Sequence, residues 1–312
     1  MTHPFLSPIA PQVPQSLIAR TRGLPIPRVA LVNAGSVTAM TGLRDMATAG
    51  LARPVLVGDP VRIRQVAIEI GWDISDIPLI DAPGAGASSA AAALARAGEA
   101  DAIMKGQVHT STFLKGLLPS AAGLRAPGAR CGHVFHMTRP GDDRPLLLTD
   151  AALNVAPDVA TRKACLAHAV HLAHLVGIER PRAAILGATE DPIPSIANTG
   201  ESRAIADWAR DALPDADVAG PIALDLALSA DAARIKGYDD PVAGAADILV
   251  APAITTGNVL FKALAFGMGA CAGGVVMGAR VPILLTSRAQ ATPARLAAAA
   301  LGMIVAAGGP TP

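Results

Sequence analysis

Eleven short apolar runs, set between alanine-rich amphipathic stretches, constrain the fold of this 312-residue chain more than any other feature. They are RVALVN (28–33), PVLVGD (54–59), IPLIDA (77–82), DAIMKG (101–106), HVFHM (133–137), PLLLTD (145–150), RAAILGA (182–188), DVAGP (217–221), DILVAP (247–252), GGVVMG (273–278) and PILLTS (282–287). Most are apolar at consecutive rather than alternate positions, the pattern of strands buried on both faces. Helices are expected between most of them, at 60–71, 88–98, 109–118, 158–177, 199–212, 256–268 and 293–307. Strands separated by helices predict an α/β fold with mainly parallel sheet.

The length favours about two domains. The least periodic stretch, PSAAGLRAPGAR (119–130), marks a boundary. The next two runs, joined by TRPGDDR, read as a hairpin opening the second domain. The proline-rich start, MTHPFLSPIAPQVPQ, has no charged segment followed by an apolar one, so it reads as a loose arm and not as a signal peptide. Residues 263–279 are uncharged but carry Gly267, Gly269, Gly273, Gly274 and Gly278. They also fall short of the roughly 20 apolar residues of a membrane span. A formal charge of +1 gives no case for nucleic acid or a membrane surface as partner. Cys131, Cys165 and Cys271 are far apart with no CxxC, which argues for a reducing compartment and against a zinc or disulfide framework.

Reactive and anion-binding side chains collect at the ends of the apolar runs, where open α/β sheets bind ligands. Lys105 ends one run, with Gly106, His109, Thr110 and Ser111 after it at a helix start. Asp150 ends another and is followed by Asn154 and Pro157; Thr189 and Glu190 follow AILGA. The stretch TTGNVLFK supplies Gly257, Asn258 and Lys262, and Ser287 with Arg288 closes the last run. A helix N-terminus attracts anions, and arginine donates to phosphate or an oxyanion in pairs. The set points to an anion-handling enzyme. Neither a Walker A loop nor GxGxxG is present, since APGAGASS (82–89) lacks the GK[ST] ending, so no nicotinamide cofactor is predicted. His168, His171 and His174 repeat every three residues on a predicted helix but lack a completing carboxylate or cysteine. A partly exposed helix face is expected there, not a metal site. His133 and His136 point to opposite faces of a strand, one of them possible at the ligand end.

In order along the chain, DAIMKGQVHTSTFLKGLL, GHVFHM, PLLLTDAALNVAPD, AILGATE, GPIALDLALS, VAGAADILVAP, TTGNVLFK and GARVPILLTSR resemble the phosphate acetyltransferase/phosphate butyryltransferase family over about residues 101–300. The likeness is nearest to butyryltransferases and to the transferase portion of combined enoyl-CoA hydratase/phosphate acetyltransferases. It implies two α/β/α domains of the isocitrate/isopropylmalate dehydrogenase-like architecture, with an interdomain cleft. The chain ends return to the first domain, giving 1–125 plus 276–312 and 126–275. It implies a cytoplasmic homodimer or larger homo-oligomer with no tightly bound cofactor and no metal. Its substrates are coenzyme A or acyl-CoA with phosphate or an acyl phosphate. By the same resemblance Arg288 meets the phosphate and the developing negative charge, and Ser287 donates to the same centre. Asn258 and the TTGN backbone hold phosphate, while Lys105 and Lys115 hold the coenzyme A phosphates. His109, Thr110, His133, Asn154, Gly257 and Lys262 complete the expected substrate contacts.

Many relatives carry an Asp two residues beyond the serine–arginine pair, where this chain has Gln290. Glu190 or Asp150 then serves as base, or the thiolate arrives preformed, or the chain binds coenzyme A without turning it over. A dehydrogenase of the same architecture is the other alternative.

Overall fold

The computed structural model describes residues 3–285 and 291–309. Each of the eleven apolar runs holds a strand: β1 (Arg28–Ala34), β2 (Arg53–Gly58), β3 (Leu79–Asp81), β4 (Ala102–Lys105), β5 (Gly132–Thr138), β6 (Leu146–Thr149), β7 (Arg182–Leu186), β8 (Asp217–Ile222), β9 (Ile248–Val250), β10 (Cys271–Met277) and β11 (Ile283–Leu284). The helices are α1 (Gln15–Ala19), α2 (Val37–Thr48), α3 (Pro60–Glu69), α4 (Gly86–Arg96), α5 (Thr110–Leu117), α6 (Val159–Leu175), α7 (Ala197–Ala212), α8 (Leu224–Leu228), α9 (Ala230–Lys236), α10 (Ile254–Lys262) and α11 (Thr292–Gly308). A π-helical turn, Ala263–Gly267, continues α10.

The chain forms two compact units. The first runs from Pro11 to Ala129 and resumes at Cys271; the second holds the residues up to Ala10 together with Arg130–Ala270.

In the first unit the strand order is β3-β2-β1-β4-β11-β10. All neighbours are parallel except β10, which runs antiparallel to β11. Val29 to Val32 of β1 are all buried. Successive strand side chains point to opposite faces, so both faces of the sheet are covered. The helix α4 packs on β1 and α5, α2 packs on β1 and α11, and α11 packs on β10. Local chemistry fixes where helices begin: Ser36 Oγ accepts from Ala39 N ahead of α2, and Asp59 accepts from Val61 N ahead of α3. The chain lays β2 and β3 to one side of β1 and then returns to the other side for β4. The carboxyl ends of β1 and β4 therefore flank a topological switch point, the place where open α/β sheets bind ligands.

In the second unit the order is β5-β6-β9-β7-β8. Here β5 and β6 form the expected antiparallel hairpin, with Phe135 opposite Leu148, and the other pairs are parallel. The helix α6 packs on β5, β6, β9 and α7. Its Arg162 is 1% exposed, with one guanidinium nitrogen 2.8 Å from Ser202 Oγ and another 3.3 Å from Glu201.

Two expectations are corrected. The proline-rich start is tied down at Ser7, whose N donates to Phe266 O at 2.8 Å, while Phe5, Leu6 and Ile9 stay exposed. His171 and His174 are part-exposed on α6 as expected, but His168 is buried, with Nε2 2.8 Å from Arg130 O. Burial pushes the pKa values of His168 and His171 below the ordinary histidine range. Among the described residues no helix is long and apolar enough to cross a membrane.

Candidate active site

In the second unit Asp150 follows β6 and is 3% exposed. A buried carboxylate must be satisfied by donors. Its Oδ1 accepts from Ala152 N at 2.8 Å and Leu153 N at 2.9 Å. Its Oδ2 accepts from Asn154 N at 3.2 Å, Asn154 Nδ2 at 2.6 Å and His133 N at 3.3 Å. Asn154 Nδ2 also reaches Cys131 O at 2.9 Å. The loop after β6 is thus wrapped around one carboxylate and pinned to β5.

The helix α10 is seated on that loop. A Cβ at Gly257 would stand 2.4 Å from Asp150 O, so only glycine lets the helix approach this closely. Next to it, Asn258 Nδ2 donates to Ala151 O at 3.1 Å. The Gly257 N–H is engaged with Ala253 O at 3.2 Å. The structure therefore brings Asp150, Asn154, Gly257 and Asn258 together through these contacts. Lys262 is exposed at the far end of α10 and does not join them.

His133 enters this cluster through its backbone N–H. Its ring is 1% exposed and lies edge-on to Phe135, which stacks on Phe261 at 4.1 Å. Burial drives His133 down to about 4, against a smaller opposing pull from Asp150, and burial drives His136 to about 4 as well. Both are neutral at physiological pH, and neither Nδ1 finds a partner among the described residues. In the unfolded chain these rings take up protons below the ordinary value of 6.5, whereas in the folded chain they do so only near 4. Stability should therefore fall as pH drops from about 6.5 to about 4, by several kcal/mol in order of magnitude for the pair. Urea midpoints measured between pH 7.5 and 4.5 check this, and a flat profile would count against buried neutral rings.

Glu190 sits apart, beyond β7. Its Oε1 is 4.0 Å from Lys236 Nζ, which lies 3.0 Å from Asp225 Oδ2. The bond to Lys236 holds the Asp225 carboxyl below the usual carboxylate range, and Lys236 is raised in turn. Lys236 was missed in the sequence because nothing in RIKGYDD marks it out from other surface lysines.

In the first unit Lys105 ends β4, and its Nζ reaches back to Val108 O at 3.1 Å. His109, Thr110 and Lys115 are exposed on or beside α5. The strand β11 pairs Ile283 with Ile103 and Leu284 with Met104, the residue before Lys105. Ser287, Arg288 and Gln290 themselves lie outside the described residues. Among the described residues no group of three or more His, Cys, Asp or Glu could hold a metal.

A family model described as Phosphate acetyl/butaryl transferase matches residues 85–303. The chain belongs to that family. Among members of the phosphate acetyl/butaryl transferase family, a phosphate acetyltransferase of Rhizobium meliloti is 41% identical over 272 residues, 86% of this chain and 86% of that one. A phosphate butyryltransferase of Clostridium acetobutylicum is 35% identical over 292 residues, 93% of this chain and 97% of that one. A crystal structure of a branched-chain phosphotransacylase from Enterococcus faecalis V583 superposes with a TM-score of 0.77 at 27% identity, covering 89% of this chain and 98% of that chain. The family match takes in Lys105, Asp150, Glu190, Asn258 and the Ser287–Arg288 pair alike.

Proposed function

We propose that this protein moves a short acyl group, acetyl or butyryl, between coenzyme A and inorganic phosphate. The observation that carries the reading is family membership across most of the chain, with transferases as relatives over both units. A non-catalytic coenzyme A binder and a dehydrogenase are not favoured by those relatives.

In the acyl-CoA-forming direction the coenzyme A thiol gives its proton to a base, and the thiolate attacks the carbonyl carbon of the acyl phosphate. A tetrahedral oxyanion forms, the carbonyl–phosphate C–O bond breaks, and phosphate leaves with the bonding electrons. We assign Arg288 to the phosphate and the growing negative charge, and Ser287 to a hydrogen bond at the same centre. Lys105 and Lys115 take the coenzyme A phosphates, with His109 and Thr110 beside them at the start of α5. The lone pairs of Asp150 face five donors, so Glu190 is our choice of base. The loop held by Asp150, Asn154, Gly257 and Asn258 is the support for the start of α10. The reading includes a cytoplasmic enzyme that assembles as a homodimer or larger; exposed Val259, Phe266 and Met268 on and after α10 supply apolar surface for assembly.

The test is release of free thiol from acetyl-, propionyl- and butyryl-CoA with and without inorganic phosphate. Release that requires phosphate supports the reading and ranks the acyl groups. Release that ignores phosphate, or none at all, refutes it. Run across pH in the opposite direction, from acetyl phosphate and coenzyme A, turnover of Glu190→Gln should be slower and lack the acid limb of the wild-type profile. An unchanged profile removes Glu190 from the base role.

A further inference from the structure

Asn33, at the end of β1, is the single non-glycine residue with positive φ among the described residues, at 53°. Asparagine tolerates this left-handed conformation better than most residues. The conformation turns the residue toward the loop that leaves β4 on the neighbouring strand. There the two chain segments are joined three times. Gly106 N donates to Val32 O at 3.0 Å, Gln107 N donates to Asn33 O at 3.2 Å, and Asn33 Nδ2 donates to Gln107 O. The approach is so close that a Cβ on Gly106 would lie 2.3 Å from Val32 O.

Every carbonyl of the loop 106–108 is thereby engaged. Gly106 O accepts from Val108 N at 3.0 Å, Gln107 O accepts from Asn33, and Val108 O accepts from Lys105 Nζ at 3.1 Å. A carbonyl is the negative end of the peptide dipole, so a free one beside a bound phosphate repels it. Turning all three toward donors leaves the loop without that repulsion. The Lys105 ammonium is held at the same place.

We infer that Asn33 is a positioning residue for coenzyme A: by holding the Gln107 carbonyl it orients the Lys105–His109 loop to receive the coenzyme's phosphates. The inference rests on the assignment of Lys105 to those phosphates in the proposed function. It adds a residue outside the family match, which begins at residue 85. Asn33 touches loop rather than substrate, so it acts through Lys105 and the loop.

Two variants separate this role from simple support of the fold. Asn33→Gly keeps the backbone conformation and removes the donor. Asn33→Asp is nearly isosteric but puts negative charge against the Gln107 carbonyl and near the phosphates. Calorimetric titration with coenzyme A should show Kd rising about tenfold for Asn33→Gly and further still for Asn33→Asp. The rate at saturating coenzyme A should stay within about twofold of wild type, because the reacting atoms are untouched. Adding salt should narrow the gap between the two variants. A purely structural residue would instead give the same Kd for both variants, or a loss of rate that saturation does not restore, and either result overturns the inference. Binding is read without turnover, so failure of the phosphate-dependent thiol assay with intact coenzyme A binding counts against the transferase reading alone. Wild type that does not bind coenzyme A overturns both.

Discussion

Replacing Arg288 with alanine should lower kcat by about 10²–10³-fold while the protein stays folded, the loss seen when one oxyanion donor is removed from other acyl-transfer sites. Acyl transfer concentrates negative charge twice, on the tetrahedral oxygen and then on the departing phosphate. A guanidinium is suited to both, because its fork donates in pairs and stays charged at any working pH. Arg288→Lys keeps the charge but loses the fork, so its rate should fall between wild type and alanine. Initial rates of thiol release, with circular dichroism melts as the folding control, read both variants. A folded Arg288→Ala protein with near-normal turnover would remove Arg288 from the chemistry.

The second large effect should be on stability. Asp150→Ala takes the acceptor from the N–H groups of His133, Ala152, Leu153 and Asn154 and from the Asn154 amide. A buried donor left unmet costs about 1–3 kcal/mol. Partial relaxation of the loop and entry of water reduce the sum, so a total loss of about 3–5 kcal/mol is expected. Asp150→Asn restores one oxygen acceptor but turns an NH2 group toward other donors, and should recover part of that loss. Urea midpoints of the two variants measure this directly. If Asp150→Ala costs under about 1 kcal/mol and instead abolishes turnover, then Asp150 is a chemical base and Glu190 is not.

The two fates of Asp150 explain what could be read in the sequence and what could not. Strand positions were legible because burial on both faces leaves consecutive apolar residues, as in Val29–Val32 and Leu147–Leu148. The helix α2 was not singled out, although Ser36 is an N-cap and Met40, Leu43 and Met46 fall on one buried face. Its short start, NAGSVTAM, reads as loop until the cap is weighed. Residue types at strand ends were legible too, but not the direction in which they point. An Asp that holds its own loop and an Asp that meets a ligand are the same letter, and so are Asn154 and Asn258 in either role. The histidines show the same limit. The expectation that one of His133 and His136 could look out assumed an open face, and β5 is buried along its whole length. Asn33 carried a signal that was passed over: Asn followed by Ala-Gly-Ser at a strand end is a turn sequence.

The strand order of the first unit has a consequence during synthesis. One of the two neighbours of β4 is β11, which the ribosome makes only after the entire Arg130–Ala270 stretch. Until then β4 leaves the exit tunnel with one edge unpaired, its Ala102, Ile103 and Met104 lacking the partner that later buries them. Meanwhile the intervening stretch already carries every strand of its own unit. A nascent chain of this protein therefore completes its middle before its beginning, and its exposed β-edge is a natural binding place for chaperones that recognise apolar strands.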